Sequence, residues 1–354
     1  MDRFFNAVLF FFLFFICSSA YSQDEHFSQF YAFPLHLNPA MTGAYDGTYR
    51  LTAINRDQWN NKLESPYRTF AAGGDTRINM KIRQRDTKDK IGIGLFFVSD
   101  QVALYQANTN KLSSYFSYHK RLGNKNVSYL GAGIKLGIVQ RNINYDNLTF
   151  DDQFNQVDAF DQSTSEFLPP NNFGNFDASI GLNYYVQMDK STYYVGAALH
   201  HFNKPNFSYF SKIGDSNLNP NIDVSQVLNS KIVAHVSLDR KLSYTVTLQP
   251  RFVFQKQGEQ NQFDLGSNIE YTLKSRDNAV ILGLWLTALD DLDGAHLENL
   301  TPLLGIRHKR FILGLSYDVH LRDALNSTFG FNTFEFSLRF SGETEKSGAY
   351  CPTF

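Results

Sequence analysis

Apolar residues alternate with small or polar residues along many separate stretches of this 354-residue chain. In AVILGLWLTA, which begins at residue 279, every second position from the second onward is apolar: Val280, Leu282, Leu284 and Leu286. In FILGLSYDVHL, which begins at residue 311, a similar apolar set alternates with mostly small or polar residues. A period of two is that of a β-strand whose two faces meet different surroundings. The alternation therefore predicts an all-β fold.

Composition excludes several other classes of protein. The chain is 43% hydrophobic and 15% aromatic, yet beyond residue 22 no apolar run approaches the roughly 18 residues of a membrane-spanning helix. These features leave two candidates, a soluble β-protein and an outer-membrane β-barrel. The formal net charge of −1 gives no support for nucleic-acid binding.

Residues 1–22 have the pattern of a secretory signal peptide. The apolar stretch AVLFFFLFFI, which begins at residue 7, is followed by a small-x-small cleavage site, AYS, at 20–22. Cleavage there predicts Gln23 as the first residue of the exported protein. Lipidation of Cys17 is disfavoured because the bulky Ile16 precedes it, and Cys351 is then left without an intramolecular disulfide partner.

Connection lengths favour the barrel over the soluble sandwich. We predict fourteen strands, near 48–58, 66–79, 90–99, 108–121, 126–141, 173–187, 191–203, 230–240, 243–256, 261–274, 277–288, 301–308, 310–320 and 329–340. Short turns at 123–126, 188–191, 241–243 and 308–309 alternate with long connections at 142–172, 204–229 and 289–300. Short periplasmic turns and long external loops are typical of an outer-membrane, antiparallel up-and-down barrel with an even number of strands.

Charge is distributed unevenly between the two predicted ends. The connection at 142–172 carries six carboxylates and neither lysine nor arginine, and 289–300 is also acidic, whereas lysine and arginine gather near the short turns. One interpretation is solvated charge on both ends. The other is that the acidic loops contact a surface partner or divalent cations, and that the basic rim meets an acidic periplasmic partner.

Four short motifs resemble those of the PorP/SprF family of type IX secretion membrane proteins. They are HFSQFYAFPLHLNPAMTG from residue 26, NRDQW at 55–59, PYRTF at 66–70 and the final CPTF at 351–354. The first of these has neither strand alternation nor a helical stripe, and its Asn-Pro step disfavours helix. The resemblance covers nearly the whole exported chain and is strongest at its two ends.

The resemblance implies a protein of the outer membrane, embedded in its lipid and working beside the type IX translocon. Its implied partners are the periplasmic ring or core proteins of that system and large secreted surface adhesins, including those used in gliding. The implied role is to support export and attachment of such an adhesin. The family has no catalytic residues to transfer, and neither a cofactor nor a metal site is predicted.

The same resemblance supplies the candidate site residues. The N-terminal and first-strand motifs contribute Phe27, Gln29, Phe30, Tyr31, Asn38, Pro39, Gly43, Arg56, Gln58 and Trp59, and the terminal motif contributes Cys351, Pro352 and Phe354. We expect the first group to seal the barrel or to bind a partner, and the terminal group to form a docking element.

Four regions follow from these predictions. They are a signal peptide (1–22), an N-terminal plug or rim segment (23–47), a transmembrane barrel (48–340) and a periplasmic tail (341–354), with both termini in the periplasm. Charged residues of both signs, such as Asp75, Lys135 and Arg251, are expected to face the lumen. The alternative function that these features leave open is an outer-membrane solute channel of the fatty-acid-transporter type.

Overall fold

A computed structural model gives the fold of this chain. It describes residues 24–45, 47–58, 66–82, 85–102, 107–123, 127–146, 148–166, 168–209, 227–291, 294–321 and 332–342. The predicted signal peptide, Trp59, Cys351, Pro352 and Phe354 lie outside these ranges, as does the tail beyond Gly342. Within them, no helix has the length and apolar character needed to cross a membrane.

Fourteen antiparallel strands form one closed barrel. They are β1 Tyr49–Gln58, β2 Tyr67–Ile82, β3 Arg85–Val102, β4 Ala107–Leu122, β5 Val127–Ile143, β6 Asn172–Met188, β7 Ser191–His200, β8 Lys231–Lys241, β9 Val246–Gln257, β10 Gln260–Thr272, β11 Asn278–Asp291, β12 Gly294–His308, β13 Phe311–His320 and β14 Thr333–Ser341. Each strand pairs with its neighbours in sequence, and β1 closes the barrel by pairing with β14 from Arg50 and Ser341 to Gln58 and Thr333. Closure gives every one of the described strands two neighbours, and the predicted fold class is confirmed.

The two faces of the strands differ as the alternation predicts. On β11, Leu282 and Leu284 point outward and are 58% and 56% exposed, whereas Trp285 points inward and is 3% exposed. Leu265 of β10 and Ile306 of β12 are likewise exposed on the outer face. An apolar outer belt of this kind fits the hydrocarbon core of a bilayer.

The barrel has two different ends, which we name by their connections. Connections after even-numbered strands, such as the one at 189–190 between β6 and β7, are short, and together they form the short-turn end. Connections after odd-numbered strands form the long-loop end, which includes 144–171, 201–230 and 321–332. Because β1 starts where β14 ends, the entry to β1 and the end of β14 both lie at the short-turn end.

One predicted long loop is wrong. Residues 289–291 and 294–300 belong to the paired ends of β11 and β12, in which Asp290 lies opposite Ala295 and Leu289 opposite His296. The acidic composition of this stretch indicates a loop, but backbone pairing satisfies the amide and carbonyl groups whatever the side chains are. Polar strand ends extend the sheet here, and the third long connection is 321–332 instead.

Residues 24–45, which we call the lumenal segment, lie inside the barrel. They contain two 3₁₀ turns, Phe30–Ala32 and Pro39–Met41, on either side of a short helix, α1, Pro34–Leu37. Their hydrogen-bond partners include Asp75 of β2, Ser117 of β4, Leu182 of β6, Ala197 of β7, His235 of β8, Gln262 of β10, Ser316 of β13 and Glu335 of β14. These strands surround the lumen on all sides, so only a segment within it can contact all of them.

The lumenal segment runs along the barrel from one half to the other. Asp24 contacts Lys111 of β4 and His201, which both lie toward the long-loop end. Thr42 contacts His119, three residues from the short-turn end of β4, and the chain then enters β1. The segment therefore occupies the lumen itself rather than only the short-turn rim.

Candidate functional site

Asn38 fixes the centre of the lumenal segment. It precedes Pro39 and has the extended backbone that such a position favours, with φ −154° and ψ 119°. Its Oδ1 atom accepts a hydrogen bond from the amide of Ala40 at 2.9 Å, and its Nδ2 atom donates to the carbonyl oxygens of Leu182 at 2.9 Å and Ala197 at 3.3 Å. Its side chain is fully buried. One residue thus caps a turn and ties it to two strands.

Two glycines of the barrel wall make room for this turn. A β-carbon at Gly133 of β5 would overlap the carbonyl group of Pro39, and one at Gly181 of β6 would overlap Oδ1 of Asn38. The carbonyl of Pro39 is backbone and cannot move aside as a flexible side chain does, and Oδ1 of Asn38 is held by the amide of Ala40. The wall is therefore shaped to the segment at these positions. The glycines in the barrel interior thereby couple strands β5 and β6 to the Asn-Pro motif.

Gln29 and Arg56, predicted from two separate motifs, meet at Glu335 of β14. The amides of Ser28 and Gln29 donate to the two carboxylate oxygens of Glu335 at 3.0 and 2.7 Å. Arg56 donates from Nη1 to Glu335 at 3.1 Å and to the hydroxyl of Ser28 at 2.8 Å, and its Nη2 atom lies 3.5 Å from Asp318. The carboxylates and Arg56 are all at least nine-tenths buried. Buried charge is tolerable here because each partner is present.

The first described residues of the segment form a second charged cluster, which we call the acidic anchor. Asp24 and Glu25 lie 3.0 and 2.5 Å from Nζ of Lys111. The two ring nitrogens of His201 face Asp24 at 2.5 Å and Asp177 at 2.7 Å. A histidine between two carboxylates can donate to both only as the imidazolium ion.

The anchor shifts the pKa values of its loop and segment members. Burial alone lowers the pKa of His201, but the carboxylates of Asp24 and Asp177 act the other way, and its pKa lies above the ordinary value. Burial alone raises the pKa of Asp24, but Lys111 and His201 outweigh it and hold that pKa well below its usual range. Both shifts favour the charged forms of the two groups.

Tyr31 connects the segment to an aromatic and basic part of the wall. Its ring stacks on Trp285 of β11, with centroids 5.3 Å apart and planes 22° apart, while Phe30 meets the same indole edge-on at 5.1 Å. The guanidinium of Arg251 lies 5.1 Å from the centre of the Tyr31 ring. That distance is within the range of a cation–π contact.

Beside Tyr31 lies a cavity of about 530 Å³, which we call the basic cavity. Gln29, Tyr31 and Asn268 line its inner, buried part, and the exposed Lys309 and Arg310 of the turn between β12 and β13 border its outer part. It therefore opens at the short-turn end. Its basic side chains are Lys241, Arg251, Arg307, Lys309, Arg310 and Arg339. The lumenal segment forms one wall of this space, and strands β8 to β14 supply the others.

The structure brings most of the predicted site residues together. Phe27, Gln29, Phe30, Tyr31, Asn38, Pro39, Gly43 and Arg56 all lie in or against the lumenal segment. Gln58 lies at the long-loop end of β1, where it pairs with Tyr67 and Thr333, and its amide oxygen accepts hydrogen bonds from Nε and Nη2 of Arg56 at 3.0 and 2.9 Å.

Sequence reasoning missed several residues of the site. Its candidate residues do not include Asp24, Glu25, Ser28, Lys111 or His201. The signal for the acidic anchor was the acidic pair at the start of the segment, but no pattern specifies which strand residue it meets. Within the described ranges, no three His, Cys, Asp or Glu side chains are arranged to hold a metal ion.

Comparisons with known proteins identify one family by sequence. A model of the family described as "Type IX secretion system membrane protein PorP/SprF" matches residues 19–340. Among curated proteins, no significant sequence match is found.

Solved structures of outer-membrane proteins resemble the chain weakly. CdiB from Escherichia coli is 10% identical with a TM-score of 0.42, over 82% of this chain and 62% of that one, so the chain spans about three fifths of its length. The Ralstonia pickettii toluene transporter TbuX is 11% identical with a TM-score of 0.47, over 87% and 93%. A Pseudomonas aeruginosa FadL homologue is 12% identical with a TM-score of 0.47, over 88% and 94%. Similarities this weak carry no conclusion about function.

Proposed function

The chain belongs to the PorP/SprF family of type IX secretion system membrane proteins, and from this premise we propose that it is a closed, non-enzymatic barrel that binds other proteins of the secretion process. Family and fold together make it an outer-membrane component of type IX secretion. The proposed partners are periplasmic ring or core proteins, a large exported surface adhesin, or both.

The observation that carries this proposal is the occupied lumen. The lumenal segment crosses the interior and bonds to strands on every side of the barrel, from Asp75 of β2 to Glu335 of β14. A solute channel needs a continuous path through the lumen. The hydrogen bonds of Asn38 and Gln29 to the wall would have to break before such a path opened, which favours a binding role over conduction.

The proposed orientation follows from the two kinds of connection. Outer-membrane barrels have short periplasmic turns and longer external loops. We therefore propose that the short-turn end, with the basic cavity and the start of the C-terminal tail, faces the periplasm. The long-loop end, with the acidic loop at 144–171, then faces the cell exterior, where an adhesin is displayed.

Co-purification from native membranes tests this function. An affinity tag inserted at Val157, which is 81% exposed at the long-loop end, leaves the short-turn end free. We expect periplasmic secretion proteins or a large exported surface protein to be recovered with the tagged barrel and not with an unrelated tagged barrel. Recovery of the barrel alone, together with steady conductance of the purified protein in planar bilayers, would instead support the solute channel.

Two variants assign the predicted site residues within this function. Joint substitution of Phe30, Tyr31 and Asn38 by alanine tests the lumenal segment, and deletion of 347–354 tests the tail that contains Cys351, Pro352 and Phe354. Loss of partner recovery from a barrel that still folds would make the altered part a binding element. Unchanged recovery would reduce the segment to a seal and would remove the docking role of the tail.

A further inference from the structure

Arg240 is an exposed cation on the outer face of the barrel, at the short-turn end of β8. It shares this face with Ile232 and Val236, which are exposed in the apolar belt. Lys120 of β4 is also exposed near the short-turn end, but its Nζ atom lies 2.9 Å from Oδ2 of Asp89. Within the described part of the chain, no carboxylate is paired with Arg240 in this way. Its guanidinium is therefore available to a molecule outside the chain.

The immediate neighbours of Arg240 on the outer face are mostly apolar. Leu238 precedes it by two residues on the same face of β8, and the exposed Leu242 follows the end of that strand. On the adjoining strands, Ser191 of β7 and Leu248 of β9 lie directly opposite it. The long side chain of an arginine can lie along such an apolar surface while its charged end reaches the lipid headgroups.

Three tyrosines mark the level of the membrane surface around Arg240. Tyr193 near the start of β7 and Tyr271 near the end of β10 are exposed on the outer face, and Tyr244 is fully exposed on the turn between β8 and β9. Outer-membrane barrels carry aromatic girdles of this kind where the hydrocarbon meets the headgroups. The guanidinium of Arg240 therefore lies at the level of the lipid phosphates.

The short-turn rim around Arg240 has an excess of positive charge. Three neighbouring stretches together contain five lysine or arginine residues and two aspartates: 188–191, 240–245 and 273–277. The five cations are all exposed. Lys190 lies beside Arg240, since its carbonyl oxygen accepts a hydrogen bond at 2.8 Å from the amide of Lys241. Basic side chains gathered at a membrane surface attract anionic lipids.

We propose that Arg240 and Lys190 bind the phosphate group of an anionic phospholipid in the leaflet around the short-turn end. A guanidinium forms paired, charge-assisted hydrogen bonds with a phosphate, and Ser191 and Tyr193 supply hydroxyl donors on the same face. The acyl chains lie along the apolar surface beside Leu238. A zwitterionic headgroup would instead bring its own cation against the basic rim. That this leaflet is the periplasmic one rests on the proposed orientation, whereas the chemistry of the site does not depend on it.

Lipid retention by the purified full-length barrel tests this proposal. The barrel in a non-ionic detergent is mixed with equal amounts of phosphatidylglycerol and phosphatidylcholine that have the same acyl chains, and native mass spectrometry counts the lipids that stay bound. We expect phosphatidylglycerol to be retained at least about fivefold more, because basic side chains at a membrane surface favour anionic lipid. Equal retention of the two lipids would overturn the proposal.

The double variant Arg240→Gln with Lys190→Gln locates the site. Both side chains are exposed, and neither has an ion-pair partner among the described residues, so the variant should fold, which the electrophoretic mobility of the folded form verifies. We expect its retention of the two lipids to agree within about twofold, because both charged contacts with the phosphate are lost. A folded double variant with the wild-type preference would also overturn the proposal.

The matched control removes the same charge from the lumenal side of the same end. Lys309 and Arg310 are exposed on the turn between β12 and β13 and border the basic cavity. The variant Lys309→Gln with Arg310→Gln should keep the wild-type preference for phosphatidylglycerol. If both double variants lose that preference equally, the attraction is to the whole basic rim and Arg240 is not the site.

Two further measurements separate other occupants. Displacement of phosphatidylglycerol by inorganic phosphate at constant ionic strength would show a site for small anions and would overturn the proposal. Preferential retention of lipopolysaccharide, lost in the variant Arg240→Gln with Lys190→Gln, would assign the site to a different lipid, with the same consequence. Failure of co-purification with an intact lipid preference would instead contradict only the proposed function.

Discussion

In the long-loop half of the lumen, Asp24 and Glu25 meet Lys111 and His201, whereas in the short-turn half Tyr31 borders a cavity lined mainly by cations. The first arrangement satisfies buried charge within the chain, and its members need one another in order to be buried at all. In the second, cations from several strands and turns lie beside open space, and Lys241, Lys309 and Arg310 among them are exposed. Buried ion pairs therefore hold the segment in place, whereas exposed cations contribute little to stability.

Removing one cation from each region should have unequal effects on stability. Arg56→Met leaves Glu335 and Asp318 buried without their shared guanidinium, and we expect the free energy of unfolding to fall by about 3–5 kcal/mol. Lys241→Met removes an exposed cation that lines the cavity, and we expect a change within about 0.5 kcal/mol. Urea titration of the purified barrel, followed by the electrophoretic mobility of the folded form, measures both. Similar losses in the two variants would contradict the distinction between buried, paired charge and exposed charge.

Steric fit around the segment should matter less than the buried charges. Gly133→Ala places a methyl group against the carbonyl of Pro39, and overpacking of this kind costs about 1–3 kcal/mol. If the segment is displaced instead, the lumen opens and conductance in planar bilayers rises. Gly174→Ala is the matched control, since its β-carbon would lie 3.6 Å from the nearest atom, the carbonyl oxygen of Val139, which is ordinary contact. A Gly133→Ala barrel with wild-type stability and no conductance would show that the segment is not closely fitted to the wall.

The sequence predicts the barrel far better than it predicts the contents of the barrel. Alternation along one strand is a local signal, so fourteen strands can be recognised from it, and most predicted boundaries agree with the observed ones within a few residues. At 289–300 the prediction is wrong because apolar alternation stops at 288 and resumes at 301, although paired backbone does not require apolar side chains. Lengths of connections likewise follow directly from these strand positions.

The lumenal contacts depend on residues far apart in the chain. Gln29 and Glu335 are separated by 306 positions, and no periodicity relates them. Family motifs marked Gln29, Asn38 and Arg56 without showing their partners. The basic cavity was missed because its cations come from different strands and turns, and only closure of the barrel brings them around one space.

The acidic anchor should give a smaller, pH-dependent effect. The pKa of His201 is raised in the folded protein by Asp24 and Asp177, which outweigh the opposing effect of burial. A raised folded pKa adds stability that is fully present below the unfolded value of about 6.5 and is lost as the pH rises through the folded value. We therefore expect the difference in unfolding free energy between wild type and His201→Gln to be largest in mildly acidic buffer and to shrink toward alkaline pH. The lowered pKa of Asp24 does not reverse this trend, because the stability that Asp24 contributes is lost only as the pH falls into the acidic range.

His296→Gln, at a half-buried histidine on β12 outside the anchor, is the control. A difference for His201→Gln that stayed constant with pH would mean that the imidazole is neutral there, and that Lys111 alone holds the acidic start of the segment.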